Sequence, residues 1–329
     1  MKNLVTGGSG FLGGHLTETL VKRGEQVRVL VRSTSKTDHL EPLGVELFHG
    51  DLGDIHSLRN ATQDIDIVYH CAALAADWGS WEEFHKINVT GTRNLLQAAL
   101  EKRVNKFIHI STTDVYGYPD SPVDETAPFR FRGWPYCDTK IKTEETVWEY
   151  YHQKGLPISV VRPLNIYGPR STTFVLEIAE LLKKGSMVHI GNGLKSAGLV
   201  YVTNVVDLIL LTAGNDISTG QAYHASDGSN VTWRQYINRL ADIIGAPHPR
   251  ITLPYRPAYI IGWLMEKIYG TLAVKNRPLL TRMAVELVGT DHNFSIEKAQ
   301  NDLNYKPNVD YEKGMKHVKD WLFLIGYIR

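Results

Sequence analysis

Tyr136 and Lys140 are the two residues whose types and spacing most directly suggest proton-transfer chemistry. Residues four apart in a helix lie on the same face, so the phenol and the ammonium would be neighbours. A tyrosine ordinarily has a pKa of about 10, and a nearby ammonium lowers that pKa by stabilising the phenolate. An acid–base group works best when its pKa is close to the working pH. The pair is therefore suited to exchanging a proton with an alcohol or a carbonyl oxygen.

Three hydroxyl side chains, Ser111, Thr112 and Thr113, directly follow the apolar segment 106–110. That segment is predicted to be a strand, and ligands of open α/β sheets bind beyond the carboxyl ends of the strands. A hydroxyl at this place can hold the oxygen atom of a substrate. Together with Tyr136 and Lys140, the cluster favours interconversion of an alcohol and a carbonyl with transfer of a hydride.

A glycine-rich turn occupies residues 6–13, between the first predicted strand and the first predicted helix. Gly8, Gly10 and Gly13 have the spacing G-x-G-x-x-G, and Gly7, Gly10 and Gly13 have the related spacing G-x-x-G-x-x-G. Glycine allows a tight turn in which backbone N–H groups approach a pyrophosphate, and the following helix N-terminus adds positive potential. A dinucleotide-binding turn requires this position between strand and helix. We therefore predict a dinucleotide cofactor at this turn.

The end of the second predicted strand, residues 29–33, bears on which dinucleotide is bound. NAD-binding proteins usually place an acidic residue about 20 residues after the glycine turn, where it accepts a hydrogen bond from the ribose 2′-hydroxyl. Val31 occupies that position here, and Arg32 follows it. Arginine can pair with a 2′-phosphate, so NADP(H) is favoured, with Lys36 as a second cation, and NAD(H) remains open. The alternative is that Arg32 only stacks beside the adenine.

Asp51 follows the third predicted strand within the tripeptide Gly50-Asp-Leu52. Its carboxylate is placed to contact the adenine amino group of a bound dinucleotide. Aspartate also favours turns by bonding its own backbone, so the alternative is that Asp51 only caps the next turn.

Strands and helices are predicted to alternate through the first half of the chain. Strands separated by helical segments indicate βαβ units and a parallel sheet, and right-handed crossovers make that sheet doubly wound. The predicted fold class is therefore α/β, a doubly wound parallel (Rossmann) sheet with a smaller C-terminal substrate lobe. The strands are predicted at 3–5, 26–31, 45–48, 65–70, 106–110 and 158–162, and the helices at 16–23 and 88–102.

The second half is less regular, and we divide the chain on that basis. Residues 1–165 are predicted to form the dinucleotide-binding domain, and residues 199–226 are expected to rejoin it through strands at 199–202 and 222–225. Residues 166–198 and 227–329 are predicted to form the substrate lobe.

One apolar stretch in that lobe, residues 258–265, bears on membranes. It is far shorter than the roughly 20 residues that a membrane span needs, so no transmembrane span is predicted. It could still lie on a membrane surface or line an apolar pocket. The commoner fate of such a stretch is a buried helix.

The net charge and the numbers of cysteines and histidines argue against several classes of function. The 329 residues carry a net charge of +1, which argues against a nucleic-acid partner. Two cysteines, Cys71 and Cys137, fit free thiols in a reducing cytosol, and Met1–Val5 already belongs to the first strand, so we expect a cytoplasmic protein without a signal peptide. The 13 histidines show no metal-binding spacing, so no metal is expected.

Seven segments resemble the extended short-chain dehydrogenase/reductase family, and the resemblance extends over essentially the whole chain. It implies a nicotinamide cofactor, a small-molecule substrate and a homodimer. The segments are residues 6–13, 50–52, 70–73, 88–92, 111–117, 136–140 and 162–169.

The resemblance implies a role for several residues. Thr112 lies three residues before Val115 of the V-Y-G motif, which makes it the implied catalytic hydroxyl, where many members have serine. Tyr136 is the implied acid–base residue, and Lys140 would hold the nicotinamide ribose and tune Tyr136. Asn88 would fix helix packing or support the lysine. The implied cofactor contacts are Gly7, Gly10, Phe11, Leu12, Gly13, Arg32, Asp51, Leu52, Ala72, Ala73, Tyr136, Lys140 and Pro163.

Two branches of the family compete. Asn165 fits the phosphate-contacting asparagine of the nucleotide-sugar epimerases and dehydratases, which retain NAD. That branch usually carries a phosphate-binding arginine where this chain has Ala197, and Lys195 lacks the bidentate fork of arginine.

The other branch comprises the 3β-hydroxysteroid dehydrogenases, the sterol-4-carboxylate 3-dehydrogenases and related β-ketoacid reductases. Residues 222–233, 253–263, 281–290 and 294–299 resemble it, and Trp78 lies in a loop that resembles its substrate pocket. We therefore favour an NAD(P)-dependent oxidoreductase that interconverts a secondary alcohol and a ketone on a hydrophobic substrate. A sugar epimerase or dehydratase is the alternative.

Overall fold

Seven parallel strands form the central sheet of this computed structural model, which describes residues 1–119, 122–274 and 276–329. The strands are β1 (Lys2–Thr6), β2 (Gln26–Val31), β3 (Glu46–His49), β4 (Ile67–His70), β5 (Lys106–Ile110), β6 (Ile158–Pro163) and β10 (Ala222–Ala225). Their order across the sheet is β3-β2-β1-β4-β5-β6-β10. The order reverses between β1 and β4, and such a switch point opens a crevice at the carboxyl ends of the strands.

Within the described residues, twelve α-helices are distributed between the two faces of this sheet and a C-terminal lobe. They are α1 (Phe11–Lys22), α2 (Ile55–Ala61), α3 (Trp81–Phe84), α4 (Gly91–Glu101), α5 (Pro135–Lys154), α6 (Ile178–Lys183), α7 (Val202–Gly214), α8 (Trp233–Ile244), α9 (Tyr255–Thr271), α10 (Arg282–Gly289), α11 (Glu297–Leu303) and α12 (Tyr311–Leu324). Segments of π-helix at His85–Thr90 and Thr172–Glu177 lead into α4 and α6.

Two apolar cores lie on the two faces of the sheet. On one face, Leu16 and Leu20 of α1 pack with buried residues of α7, such as Val205. On the other face, Leu95 of α4 and Val147 of α5 pack with residues of α2. Strands that are covered on both faces consist almost entirely of apolar residues, and this pattern made the strands predictable from the sequence. The doubly wound parallel fold predicted above is confirmed.

The first helix begins earlier than predicted, at Phe11 instead of Leu16. Gly10 caps it, so Gly13 and Gly14 belong to the helix and not to the turn. Glycine disfavours a helix interior in general, but here tight packing requires it. A Cβ atom at Gly13 would lie 2.3 Å from the carbonyl oxygen of Gly7.

One of the two strands expected to rejoin the main sheet does not. Residues 222–225 do so as β10, beside β6. Strand β9 (Leu199–Tyr201) instead pairs with β7 (Asn165–Tyr167) in a separate two-stranded sheet. The Asn165 side chain and backbone amide, both bonded to the segment just before β9, align β9 with β7 and keep it out of the main sheet. A further small sheet joins β8 (His189–Ile190) to β11 (Thr252–Leu253).

The C-terminal lobe has a core of its own, built around aromatic residues. Trp233 and Tyr236 of α8 are buried with Tyr167, Leu182 of α6 and Val318 of α12. The existence of this smaller lobe agrees with the prediction, whereas the domain boundaries stated above remain predictions.

The apolar stretch 258–265 forms part of α9, and most of that helix is exposed. Ile260 is 57% exposed and Leu264 is 46% exposed, in contrast to the buried helix that is the commoner fate. The reason is that the helix packs on α10 through its small residues, Ala258 and Gly262. In the part of the chain that the structure describes, no helix is long and apolar enough to cross a membrane.

Candidate active site

The glycine turn after β1 brings backbone close to backbone. Gly7 has a φ of +72°, and a Cβ atom there would lie 2.7 Å from the amide nitrogen of Ala72. The amide of Gly10 donates to the carbonyl oxygen of Gly7 at 2.9 Å, which closes the turn immediately before α1. Only glycine at position 7 allows this approach of β1 to the segment after β4.

A cavity of about 390 Å³ opens at this turn, beyond the carboxyl ends of β1, β2 and β4. Backbone N–H groups of the turn and the N-terminus of α1 border it, which suits a pyrophosphate. Tyr136, Lys140 and Pro163 are not among its lining residues. The other predicted cofactor contacts all line it: Gly7, Gly10, Phe11, Leu12, Gly13, Arg32, Asp51, Leu52, Ala72 and Ala73.

Arg32 and Asp51 lie at the end of the cavity formed by β2 and β3. Arg32 is exposed and forms no ion pair within the described residues, so its guanidinium is available to an anion. Asp51 accepts from the amide of Gly53 at 2.7 Å, which is the turn-capping role foreseen as its alternative. Because Asp51 also lines the cavity, the two interpretations of this residue are compatible.

Helix α5 carries Tyr136 and Lys140, and a carboxylate fixes the chain that enters it. Asp138 accepts hydrogen bonds from the amides of Arg132 at 2.8 Å and Gly133 at 2.9 Å. Pro135 is the first helical residue, a position where its fixed φ favours helix initiation. These contacts fix the position of Pro135, the residue before Tyr136.

Lys140 is buried and bonded to the end of β5. Its Nζ donates to the carbonyl oxygen of Ile110 at 2.7 Å. Burial lowers the pKa of Lys140 to about 8, although the charges of Glu144, Cys71 and Asp114 oppose this shift. The lysine thus joins α5 to the carboxyl end of β5.

The pKa of Tyr136 is raised, which is opposite to the direction predicted from the Tyr136–Lys140 pair alone. Burial of the phenol is the main cause, and the nearby charge of Asp114 adds to it. The Thr112 hydroxyl lies close enough to oppose the shift by hydrogen bonding. The structure therefore brings Thr112 and Tyr136 together and keeps the phenol protonated.

Asp114 is a charged group of this site that the sequence analysis did not single out. Its amide donates to the Thr112 hydroxyl at 3.2 Å at the start of a 3₁₀ turn, Thr113–Tyr116. Burial raises the pKa of Asp114 to about 6, while hydrogen bonds with Tyr118 and Thr112 oppose the shift. The signal that could have found it is its position, two residues beyond the hydroxyl.

A buried ion pair supports the site from behind. Arg162 of β6 donates from Nε to Glu144 of α5 at 2.9 Å, and Ser111 donates to the same carboxylate at 2.6 Å. Both charged residues are nearly inaccessible to solvent. Ser111 therefore supports the site, and Thr112 is the member of the 111–113 cluster that acts on the Tyr136 phenol.

Asn88 has the structural role foreseen for it. It accepts from the amide of Leu74 at 2.8 Å and donates to the carbonyl of Leu74 at 3.1 Å. It also donates to the hydroxyl of Thr139 on α5 at 3.2 Å. Asn88 thereby ties the loop after β4 to the helix that carries Tyr136.

Asn165 and Lys195, the two residues that could contact a sugar nucleotide, are each bonded to another group of the protein. The Asn165 amide donates to the carbonyl oxygen of Ala197 at 2.7 Å and so joins the loop before β9 to β7. Lys195 pairs with Asp291 at 2.7 Å. Neither side chain is free to receive a phosphate in this arrangement.

Trp78 lies in a loop that contacts the C-terminal lobe. Its Nε1 is 3.4 Å from the carbonyl oxygen of Val274, and its ring packs edge-on against Tyr269 of α9. Asp77 beside it is bonded to Arg277. The same loop leads into Phe84, whose ring centroid is 6.5 Å from that of Tyr136.

A second cavity, of about 440 Å³, lies between the segment after β5 and α10. Arg130, Arg132, Tyr118 and Glu286 contribute to its lining. Arg132 pairs with Glu286, whereas Arg130 has no such partner among the residues described. Tyr118 belongs to the same apolar cluster as Tyr136, so this cavity is adjacent to the catalytic side.

Residues 3–225 match the model of the NAD-dependent epimerase/dehydratase family. The match covers more than half of the chain. The chain belongs to the NAD-dependent epimerase/dehydratase family. Its members are NAD-dependent enzymes, and the glycine turn, the cavity and the residues around Tyr136 are the parts of this fold that a dinucleotide enzyme needs.

Two relatives align over nearly the whole chain. A 2-alkyl-3-oxoalkanoate reductase of Stenotrophomonas maltophilia is 32% identical over 329 residues, covering 97% of this chain and 98% of the relative. A 3β-hydroxysteroid dehydrogenase/Δ5→4-isomerase of Mycobacterium tuberculosis is 32% identical over 323 residues, covering 92% and 85%. Both are oxidoreductases of this family, and the predicted resemblance to its hydroxysteroid dehydrogenase branch is confirmed.

A solved structure of the family has the same overall fold. The dTDP-glucose 4,6-dehydratase DesIV of Streptomyces venezuelae superposes with a TM-score of 0.82, at 24% identity, over 100% of this chain and 99% of that one. At this identity the likeness shows the fold alone.

Among residues 1–119, 122–274 and 276–329, the structure contains no cluster of three or more histidine, cysteine, aspartate or glutamate side chains suited to a metal ion.

Proposed function

We propose that this family member interconverts a secondary alcohol and a ketone on a hydrophobic substrate. The observation that carries the proposal is the proximity of the Thr112 hydroxyl to Tyr136, on the helix that also carries Lys140, whose ammonium is near Cys71 in the lining of the cavity at the glycine turn. A nicotinamide bound there would supply or accept the hydride. The rest of the reaction, a proton exchange at the substrate oxygen, falls to the protein's own residues.

Tyr136 is the residue that we assign to the proton. In the reducing direction its hydroxyl donates a proton to the carbonyl oxygen and becomes phenolate, which is then reprotonated from solvent. In the oxidising direction Tyr136 first releases its proton to solvent, and the phenolate then takes the proton of the alcohol. The raised pKa of Tyr136 means that the phenol is the resting form. Thr112 would hold the same oxygen, and Lys140, whose pKa is about 8, would bind the cofactor ribose and supply positive charge.

The substrate class follows from the relatives and from the second cavity. One relative is named for a 2-alkyl-3-oxoalkanoate and another for a 3β-hydroxysteroid. Arg130 in the second cavity has a guanidinium that suits a carboxylate, and Tyr118 supplies an aromatic wall. These features support a β-hydroxy or β-keto acid with an apolar body over an uncharged sterol.

A nucleotide-sugar epimerase or dehydratase is the second candidate, because the matching family model is named for epimerases and dehydratases. Such an enzyme would use the same acid–base residues, retain its NAD and bind a diphosphate. The pairing of Lys195 with Asp291 and of Asn165 with Ala197 leaves little to bind that diphosphate. Its characteristic product would be an epimer or a dehydrated sugar without net cofactor turnover.

NADP(H) is the cofactor that we propose in preference to NAD(H). Arg32 supports it, because its exposed guanidinium lines the cavity where β2 ends and a 2′-phosphate would lie. An Arg32→Ala variant should raise the KM for NADP(H) about 10- to 100-fold, since a hydrogen bond to a charged group is worth about 1.5–3 kcal/mol. The KM for NAD(H) should change little. If both KM values move equally, Arg32 only stacks on adenine.

Net turnover measured by nicotinamide absorbance tests the main proposal. A β-keto acid with alkyl branches, a 3β-hydroxysteroid and a set of UDP-sugars would each be offered with both cofactors. We expect turnover with the apolar substrates only. Epimer formation from a UDP-sugar, with cofactor retained and no net absorbance change, would establish the second candidate instead.

A homodimer in the cytoplasm completes the proposal. The family resemblance supports the dimer, and the two free cysteines, Cys71 and Cys137, support a reducing compartment. Light scattering on the purified protein gives the oligomeric state, and cell fractionation gives the location.

A further inference from the structure

Helix α9 exposes its largest apolar side chains. Ile260, Leu264 and Ile268 are 57%, 46% and 54% exposed, and their spacing of four places them in one row along the helix. Ile261 and Trp263 lie on either side of this row and are also exposed. Single exposed apolar residues are ordinary, but a contiguous row with an indole beside it marks an interaction surface.

The buried side of the same helix carries small residues. Ala258 is fully buried, and Gly262 packs so closely that a Cβ atom there would lie 3.0 Å from the carbonyl carbon of Thr281. The apolar row therefore contributes little to the packing of α9 on α10. Its residues need a partner outside the described chain.

The row continues beyond the helix. Leu272 is 68% exposed and Leu279 is 63% exposed in the segment that follows. We call the whole set the α9 surface; it consists of Ile260, Ile261, Trp263, Leu264, Ile268, Leu272 and Leu279.

The charge beside the α9 surface is positive. Residues 255–282 contain five lysines and arginines and one acidic residue, Glu266, in a chain whose net charge is only +1. Arg282 pairs with Glu266 at 2.6 Å and Arg277 pairs with Asp77, so these two arginines are neutralised. Arg256 and Lys267 are exposed and form no ion pair in the described part of the chain.

We propose that the α9 surface docks on the surface of an anionic lipid bilayer. A helix with exposed isoleucine, leucine and tryptophan and with cations at its edges is suited to lie at the lipid headgroup boundary. Its lysine and arginine side chains are attracted to anionic headgroups, and indole rings favour that depth. A second copy of the chain is a poorer partner, because a twofold contact would bring two cationic edges together.

Docking would orient the candidate active site toward the bilayer. Trp78 contacts Val274 and Tyr269, and the Thr281 hydroxyl donates to Asp77 at 2.6 Å. The loop that leads to Phe84 and Tyr136 is therefore attached to the docking segment. This consequence rests on the proposed hydrophobic substrate, which would reach the site from the lipid phase, whereas the docking itself does not.

Vesicle co-sedimentation of the full chain, without substrate or cofactor, tests the docking. The vesicles would be phosphatidylcholine alone or phosphatidylcholine mixed with phosphatidylglycerol. We expect binding to the mixed vesicles that weakens with added salt. A variant carrying Ile260→Ser, Leu264→Ser and Ile268→Ser should bind at least about tenfold more weakly, since several buried apolar groups are lost.

Two further variants make the result specific. Arg256→Glu with Lys267→Glu should abolish the preference for anionic lipid and leave the apolar row intact. Phe323→Ser with Leu324→Ser is the matched control, because these side chains, 65% and 82% exposed, lie at the end of α12. The control should bind like the wild type, and circular dichroism should show that every variant is folded.

Three outcomes would overturn the proposal. The wild type could fail to sediment with either vesicle, or the α12 control could lose binding as much as the α9 variants. Light scattering could also show that the triple serine variant converts a dimer to a monomer while vesicle binding is absent. That last result would identify the α9 surface as a subunit interface. None of these outcomes bears on turnover, so the proposed function is judged separately.

Discussion

Helices α5 and α9 reverse the usual relation between side-chain polarity and burial, in opposite directions. Helix α5 buries charged and hydroxyl side chains, and α9 exposes isoleucine, leucine and tryptophan. The buried polar residues of α5 are Asp138, Thr139, Lys140, Thr143, Glu144 and Thr146. Each reversal costs free energy. Helix α5 removes charged groups from water, and α9 leaves apolar surface in contact with water.

The two reversals differ in how the cost is offset. Within α5, Glu144 meets Arg162 and Lys140 meets a carbonyl oxygen, so the partners of its polar groups are inside the protein. The exposed row of α9 has no internal partner in the described chain. An element with internal partners serves a site, and an element without them points to a partner outside. The following predictions test this distinction.

The largest expected effect is on turnover, at Tyr136. Tyr136→Phe keeps the ring and removes the proton donor, so kcat should fall about 10²- to 10⁴-fold, the range for loss of general acid–base catalysis. Steady-state kinetics on an accepted ketone measures it, and cofactor affinity should be nearly unchanged.

Tyr150→Phe on the same helix is the matched control. Its hydroxyl donates to Gln97 at 3.1 Å, away from the cavity at the glycine turn. Its kcat should equal that of the wild type. Equal activity of Tyr136→Phe and Tyr150→Phe would remove Tyr136 from the catalytic assignment.

The next largest effect is on stability, at Glu144. Glu144→Gln keeps the shape but leaves Arg162 as a buried cation with a neutral partner, and breaking such a pair costs about 3–5 kcal/mol. Denaturant unfolding measures the change in the free energy of unfolding. Glu101→Gln, at the exposed pair with Arg59, is the control and should change stability far less. Similar effects of both substitutions would mean that the α5 network contributes no more than a surface pair.

Much of α5 and its surroundings could be predicted from the sequence, because local patterns carried the information. The glycine turn lies between strand and helix, and Tyr136 and Lys140 lie one turn apart, so neighbours in sequence are neighbours in space. What could not be predicted depends on distant contacts. The ion pair of Glu144 with Arg162 joins residues 18 apart, and the raised pKa of Tyr136 depends on Asp114 from another segment.

The environment of α9 was less predictable for the same reason. Its apolar composition suggested a buried helix, but burial depends on which face meets α10. The close approach at Gly262 decides this, and that contact with Thr281 is tertiary. Residues 199–202 were likewise predicted to be a strand, and 199–201 are one, but the sheet assigned to it was wrong, because its pairing with β7 depends on tertiary contacts such as that of Asn165 with Ala197.

A pH-dependent effect is expected at Asp114, which adjoins α5. Burial raises the pKa of this carboxyl from its ordinary 3.8 to about 6, so folding favours the protonated form. Its contribution to stability is full below about pH 4 and is lost as the pH rises through about 6. Asp114→Asn has no such loss, so its stability relative to the wild type should improve as the pH rises through this window.

Thermal unfolding of both proteins across that pH range measures the difference. The shape of the difference is informative as well as its sign, since it should change most steeply between about pH 4 and pH 6 and level off above that range. A difference that is constant with pH would mean that Asp114 titrates normally and is not part of the desolvated site around Tyr136.

The smallest expected effect is at Leu264, and it is the one that most sharpens the comparison. Leu264→Ser should change the free energy of unfolding by less than about 0.5 kcal/mol, as surface substitutions usually do. Val285→Ala on α10, fully buried against Ala258, is the control and should cost at least about 1 kcal/mol. A large loss at Leu264 would mean that the row is covered within the folded chain. A near-zero change in the free energy of unfolding would mean that Leu264 is not needed for folding. Binding at an external apolar surface would then explain why a leucine stands there.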